Sequence, residues 1–240
     1  MQVYSHGKSV LKDGHLEKII RPEVPMRLKT LVRDSFHVDM LTEDRIKIRE
    51  ENGPCHVIGV IPGSIITEDR IEEIDFTKNN GIDVTRDILK LAVIERHKNT
   101  GHIGLGYIQG IGLKEGAIAS SVSHDSHNII VIGTNDADIV AAANRIIEMG
   151  GGNVVVKDGV DIERMVLPIA GLMSDFSAQD TAEFNARVRE AVKRLGVNEG
   201  VEPFMNMAFV SLPVIPALKM STQGLVDVVK FSRVGLKAER

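Results

Sequence analysis

The sequence predicts a mixed α/β (α+β) fold, in which helices pack on the face of a layered sheet and a short β-rich segment comes first. Apolar runs rich in valine and isoleucine alternate along the chain with amphipathic helical stretches, the pattern typical of stacked sheet and helix layers. The 240 residues, 43% of them hydrophobic, suffice for one or two cores without disulfides. We expect the folded domain to cover residues 51–240.

Residues 1–50 differ from the rest of the chain. They are rich in charge, contain Pro22 and Pro25, and show only short alternating apolar pieces. Turn signals at Gly7-Lys8 and Lys12-Asp13-Gly14 are typical of hairpins. We therefore predict a β-rich attachment segment over residues 1–50, with a hairpin that belongs to a neighbouring domain.

Strands are predicted where β-branched residues run together between turn residues. Pro62-Gly63 separates a run at 57–61 from the pair at 65–66, and further runs lie at 129–132 and 154–156. The glycine-dense stretch 101–116 also favours strands, because each interior glycine costs a helix about 1 kcal/mol relative to alanine.

Three helices are predicted from apolar residues at one-turn spacing. The first spans 87–98 with Thr85 as its cap. The second opens at Asn135-Asp136 and ends at the glycines of 150–152. The third runs from a Ser177 cap to Leu195.

Composition narrows the classes of partner. The 29 basic and 33 acidic residues are spread along the chain, for a net charge of -4, so there is no basic stripe for nucleic acid. No apolar run approaches the roughly 18 residues that cross a bilayer, and the amino terminus lacks a signal pattern. The single Cys55 excludes an intrachain disulfide framework and fits a reducing compartment. We therefore predict a cytoplasmic protein that binds neither nucleic acid nor membrane.

The strongest candidate for chemistry is a polar stretch between two apolar runs, which we call the polar knot: Ser120-Ser121-Val122-Ser123-His124-Asp125-Ser126-His127-Asn128. Every residue of it except Val122 has a polar side chain. Two imidazoles with a carboxylate between them can ligate a metal, act as general base and acid, or fix a tight turn. The spacing does not choose among these three.

A second candidate is the stretch 100–106 around His102. Its glycines suit a phosphate-binding loop only superficially, because no G-x-G-x-x-G opens a helix and no Gly-Lys-Ser/Thr follows. We interpret His102 as an ordinary hydrogen-bonding residue, unless the fold brings it close to His124 and His127. The chain has no His-x-His pair, and we predict no metal site within it.

Several blocks of this sequence resemble, in order and in spacing, the carboxy-terminal domain of adenine deaminases. These blocks are residues 101–106, 116–129, 150–152, 167–174, 212–216 and 224–227. The resemblance extends from about residue 30 to 232. Residues 62–67 look like the family's approach to that domain, and residues 3–16 look like strands of its small β-domain.

The resemblance implies an amidohydrolase that converts adenine and water into hypoxanthine and ammonia in purine salvage. In that family a pair of metal ions, manganese or iron, activates the water. Its ligands lie in an upstream barrel and correspond to no position of this sequence. The implied partners are adenine, the barrel domain or subunit, and further copies in a homo-oligomer, and no cofactor is predicted for this chain alone.

Two hypotheses follow from the resemblance. In the first, the chain is part of an active adenine deaminase, with His124, Asp125 and His127 assisting catalysis. His102, Ser123 and Asn128 then help to bind the purine. In the second, the chain is a non-catalytic assembly or accessory domain, or an inactive fragment.

Overall fold

A computed structural model describes residues 2–17 and 23–238. The chain divides into two compact units, Met1–Leu31 and Val32–Arg240. The first unit contains a three-stranded antiparallel sheet of β1 (Val3–Ser5), β2 (Lys8–Lys12) and β3 (His15–Leu16). The strands turn at Gly7 and at Asp13-Gly14, all with positive φ, so the predicted turn positions are confirmed. Residues 18–22 of the predicted attachment segment, including Pro22, lie outside the described residues.

The larger unit contains an eight-stranded sheet, a three-stranded sheet and helices. In chain order the elements are α1 (Met26–Arg33), β4 (Gly53–Val60), β5 (Thr67–Ile74), β6 (Ile88–Ile94), β7 (Ile103–Gln109), β8 (Ala117–Ser120), β9 (Ile129–Gly133), α2 (Asp136–Glu148), β10 (Gly152–Lys157), β11 (Val160–Val166), α3 (Ala178–Arg194), α4 (Pro203–Val210), β12 (Leu218–Ser221), β13 (Gly224–Asp227) and β14 (Ser232–Arg233). Helix α1 begins before residue 32 and so crosses the boundary of the two units.

The large sheet has the strand order β11-β10-β8-β9-β6-β7-β4-β5. Its neighbouring strands are antiparallel, except that β4 and β7 run parallel. Helix α2 packs on one face, where Ile139 and Ile146 join Val131 and Val154 in one apolar cluster. The other face is covered by helices α3 and α4 and by the three-stranded sheet of β12, β13 and β14, which we call the small sheet. These elements share a second apolar cluster with the large sheet. The predicted class, a layered sheet with helices on its face, is confirmed.

Helices α2 and α3 begin at the predicted residues. The side chain of Asn135 accepts a hydrogen bond from the backbone of Asp138, and Ser177 does the same for Asp180, as N-cap residues do. The strands predicted at 129–132 and 154–156 are β9 and β10, and β7 lies in the glycine-dense stretch. The strand after Pro62-Gly63 begins at Thr67, so the predicted pair Ile65-Ile66 precedes it.

The helix predicted over 87–98 is wrong. Residues 88–94 form the central strand β6, all seven of whose residues are buried, and Thr85 lies in a 3₁₀ turn over Val84–Arg86. The run Ile-Leu-Lys-Leu-Ala-Val-Ile is covered by protein on both faces, and such a strand has no alternating pattern that would distinguish it from a buried helix. None of the helices within residues 2–17 and 23–238 has the length and apolar character that a membrane span requires.

Gly104 on β7 brings the small sheet into direct contact with the large one. A Cβ atom at this position would lie 1.8 Å from the backbone oxygen of Ser221, at the end of β12. We expect Gly104→Ala to lower the free energy of unfolding by about 1–3 kcal/mol, because neither backbone can move aside. Urea denaturation measures this loss. Gly235→Ala is the control, because its nearest atom would lie 3.7 Å away; equal stability of the two variants would contradict this packing.

Candidate functional site

Several connections meet at one end of the large sheet. The register pairs Ile94 with both Ile103 and Ile129, and Ser120 with Asn153, so β6 and β8 end where β7, β9 and β10 begin. Strand β11 also ends there, because Val166 pairs with Gly152. We call the connections at this end the loop cluster: residues 95–102, 121–128, 149–151 and 167–177. It contains the polar knot except for Ser120, which ends β8.

The hydroxyl groups of Ser120 and Ser121 hydrogen-bond to neighbouring segments of the chain. Ser120 Oγ donates to Asn153 Oδ1 at 2.7 Å. Ser121 Oγ accepts from the backbone nitrogen of Gly152 at 2.8 Å and donates to the carbonyl oxygen of Gly171 at 2.5 Å. Both serines are buried, and their contacts fix the knot to β10 and to the loop after β11.

Ser123, a predicted substrate-binding residue, is also buried. Its Oγ shares a hydrogen bond with Ser211 Oγ, just after α4, and its carbonyl oxygen accepts from the backbone nitrogen of His127 at 2.7 Å. These contacts close the knot as a tight turn and attach it to α4. A contact between Ser123 and substrate stays a prediction.

The predicted catalytic residues lie where the knot reaches the surface. His124 is half-buried, its ring centroid lies 4.7 Å from that of Phe209 on α4, and its backbone nitrogen donates to Ala208. Asp125 is exposed, and His127 is half-buried with a left-handed backbone. The three side chains are therefore presented on a short, anchored turn.

His102 is exposed and hydrogen-bonds within its own connection. Its backbone nitrogen donates to Thr100 Oγ1 at 3.3 Å, and its carbonyl oxygen accepts from Glu95. The histidine that contacts the knot is instead His97, whose Nε2 lies 2.8 Å from the carbonyl oxygen of Ser126. Sequence reasoning missed His97, whose one signal is its place three residues after the end of a long apolar run.

Asn128 lies at the base of the knot and is 7% exposed. Its side-chain oxygen accepts no hydrogen bond from any residue in the described part of the chain. Leaving such a buried acceptor unpaired costs about 1–3 kcal/mol. The role of Asn128 in substrate binding stays a prediction.

The metal pair that the resemblance implies does not fit the side chains that the structure describes. Within residues 2–17 and 23–238, no three His, Cys, Asp or Glu side chains gather closely enough to hold a metal ion. A hydrolytic metal site needs about three protein ligands and an open position. We assign no step of chemistry to a metal bound by these residues.

The pKa of His127 gives the fold a pH dependence. Burial lowers this pKa, and so do the charges of Arg96, His124 and His97. The folded chain then binds fewer protons than the unfolded chain, so stability should fall as the pH drops below about 6.5. Melting temperatures measured between pH 7.5 and 5.5 should show a weaker pH dependence for His127→Asn, since asparagine tolerates the left-handed backbone. An unchanged dependence would contradict the assignment to His127.

Comparison with known proteins identifies the family of this chain, and the matched residues include the loop cluster. The profile of the adenine deaminase C-terminal domain matches residues 64–232. The adenine deaminase of Brucella abortus is 48% identical over 236 residues, which are 96% of this chain and 40% of the relative. Adenine deaminase 1 of Rhizobium etli is 49% identical over 234 residues (97% and 40%). Adenine deaminase 2 of Carboxydothermus hydrogenoformans is 43% identical over 235 residues (97% and 40%).

The match begins after β4 and extends from β5 to the start of β14, so it includes the whole polar knot and the strands on either side of it. The chain spans about 40% of the length of the curated relatives it matches. The chain belongs to the adenine deaminase C-terminal domain family.

Proposed function

We propose that this chain supplies the carboxy-terminal domain of an enzyme that hydrolyses adenine to hypoxanthine and ammonia. The observation that carries the proposal is the similarity of almost the whole chain to proteins named adenine deaminase, at 43–49% identity. The described residues do not gather a metal-binding set. The proposal therefore pairs the chain with an amidohydrolase barrel that supplies this set.

The loop cluster is the part of this chain that we assign to the adenine site. His127, with its lowered pKa, is neutral at pH 7 and can accept a proton, while Asp125 is exposed beside it. The side-chain oxygen of Asn128, which is buried and has no partner among the described residues, is the proposed acceptor for the exocyclic amino group of adenine, a hydrogen-bond donor, once the loop opens toward the barrel. His102 and Ser123 complete the proposed substrate-binding set.

The proposal extends to the complete enzyme of which this chain would be part. The manganese or iron of the complete enzyme, when bound, supplies activated water, and its ligands belong to the barrel. We also propose that residues 1–50 attach the domain of residues 51–240 to that barrel, that the enzyme is a homo-oligomer, and that it serves purine salvage in the cytoplasm.

A chimera tests the proposal. The segment of the Brucella abortus enzyme that matches this chain is replaced by the 240 residues, and a second version lacks the segment altogether. We expect the chimera to convert adenine to hypoxanthine, followed by chromatography, and the shortened version to lose this activity. A soluble, metal-loaded chimera without turnover would overturn the proposal.

A non-catalytic assembly role is the second candidate. One observation favours it: Met173 and Phe176 are at least half exposed, beside a groove of about 600 Å³ between the loop after β11 and helix α3. Exposed apolar surface of this kind often marks protein contacts. If the shortened enzyme keeps its kcat per subunit but changes its oligomeric state in sedimentation, this role replaces the first.

A further inference from the structure

Arg96 is the second residue after β6 and is 1% exposed. Its guanidinium donates to backbone carbonyl oxygens of three separate segments: those of His127, of Ser35 at 2.7 Å and of Ala170 at 2.9 Å. These acceptors are 31, 61 and 74 residues away in the sequence. One side chain thus joins the polar knot, the loop after β11 and the chain before β4.

The charge of Arg96 has an unusual environment. The guanidinium carbon lies 4.2 Å from the centre of the Phe36 ring, and the salt bridges among described residues do not include Arg96. The neighbouring Glu95 directs its carboxylate to the backbone of His97, Lys98 and Thr100 instead. Burial lowers the pKa of Arg96 to about 10, so it stays charged at pH 7. Burying a charge without a carboxylate is costly, and a purely structural core would favour an apolar residue here.

Two of the three carbonyl groups that Arg96 binds belong to strained backbone. His127 has φ 51° and Ala170 has φ 57°, the left-handed region, which costs a residue other than glycine about 1–2 kcal/mol. Such conformations persist only when several contacts enforce them. Here Arg96 holds the oxygen atoms of both, while the backbone nitrogen of Ala170 donates to Val32 at 2.6 Å.

We propose that Arg96 is a positioning residue, which holds the polar knot and the loop after β11 in these strained conformations and thereby sets the direction of His124, Asp125 and His127. The guanidinium donates from three separate nitrogens in one plane, Nε, Nη1 and Nη2, whereas the three donors of a lysine ammonium lie on a single nitrogen and cannot span the same three carbonyl groups. The effect of Arg96 on activity rests on the proposed function, but its effect on the loops does not.

Amide hydrogen exchange of the 240-residue chain tests the effect on the loops. We expect Arg96→Lys to raise the amide exchange rates in residues 124–128 and 169–173 by at least about tenfold, because each segment loses one charge-assisted hydrogen bond. The amides of β9 and β10 should stay protected. Arg187→Lys is the matched control, because Arg187 also lies over a phenylalanine ring, that of Phe184, but is exposed. Equal exchange in the two variants would overturn the proposal.

A second substitution separates positioning from general stability. Ala170→Gly removes the left-handed strain at one of the two anchored positions. We expect the double variant Arg96→Lys/Ala170→Gly to regain protection in residues 169–173 but not in 124–128. If Arg96→Lys does not fold, the comparison uses Phe36→Leu, which removes the ring beneath the guanidinium. Uniform recovery of both segments, or of neither, would contradict two separately held loops.

The chimera then measures the effect on adenine turnover. We expect Arg96→Lys to lower kcat by about tenfold to a hundredfold, the size expected for misplaced groups, with a smaller change in KM and none for Arg187→Lys. Faster exchange in the loops with unchanged kcat would overturn the positioning role. An inactive unmodified chimera would overturn the proposed function, while the exchange measurement would still decide the role of Arg96.

Discussion

Replacing both His124 and His127 by alanine in the chimera is expected to lower kcat/KM for adenine by about a hundredfold or more. General acid and base groups contribute this much when they are positioned at the reacting atoms, and both imidazoles lie on the anchored turn between β8 and β9. Steady-state kinetics with adenine measure the loss.

Lys193→Ala is the control for this double variant. Lys193 is exposed on α3, and we expect no change in its kinetics. A folded His124→Ala/His127→Ala chimera with the parental kcat and KM would contradict a role of the polar knot in the reaction and would favour the assembly role.

Replacing Asp136 by alanine is expected to lower the free energy of unfolding by about 3–5 kcal/mol. Lys90 on β6 is 0% exposed and pairs with Asp136 at the start of α2, and its Nζ also donates to the carbonyl oxygen of Ile46 at 3.2 Å. Burial lowers the pKa of Lys90, and without Asp136 its charge loses its main compensation. Urea denaturation at pH 7 measures the loss.

Removing both members of this ion pair provides the decisive comparison. Lys90→Met combined with Asp136→Ala should recover much of the lost stability, because no buried charge then remains. Asp44→Ala breaks an exposed pair with Arg49 and should cost less than about 1 kcal/mol. If Asp136→Ala costs no more than Asp44→Ala, the buried pair does not stabilise the junction of α2 with the sheet.

Sequence patterns predicted the helices whose ends carry local signals. Each of these helices begins after an N-cap residue, Asn135 or Ser177, and is followed by glycine. These signals lie within a few residues of the helix ends, so the sequence alone reveals them. Strand β6 could not be predicted in the same way, because it is buried on both faces and its lysine is paired with a residue 46 positions away.

The candidate site was predictable only in part. The polar knot is recognisable as a polar stretch between two apolar strands, and the structure places it between β8 and β9. The roles of its residues stay predictions. Arg96 and His97 were missed, because their importance depends on contacts between loops that are distant in the sequence.

The most direct test of this account is an assay of the purified 240-residue chain with adenine, in the presence and absence of manganese, with the chimera in parallel. We expect the chain alone to form no hypoxanthine under either condition and the chimera to form it. Sustained formation of hypoxanthine by the chain alone, together with metal bound by its own side chains, would contradict the account.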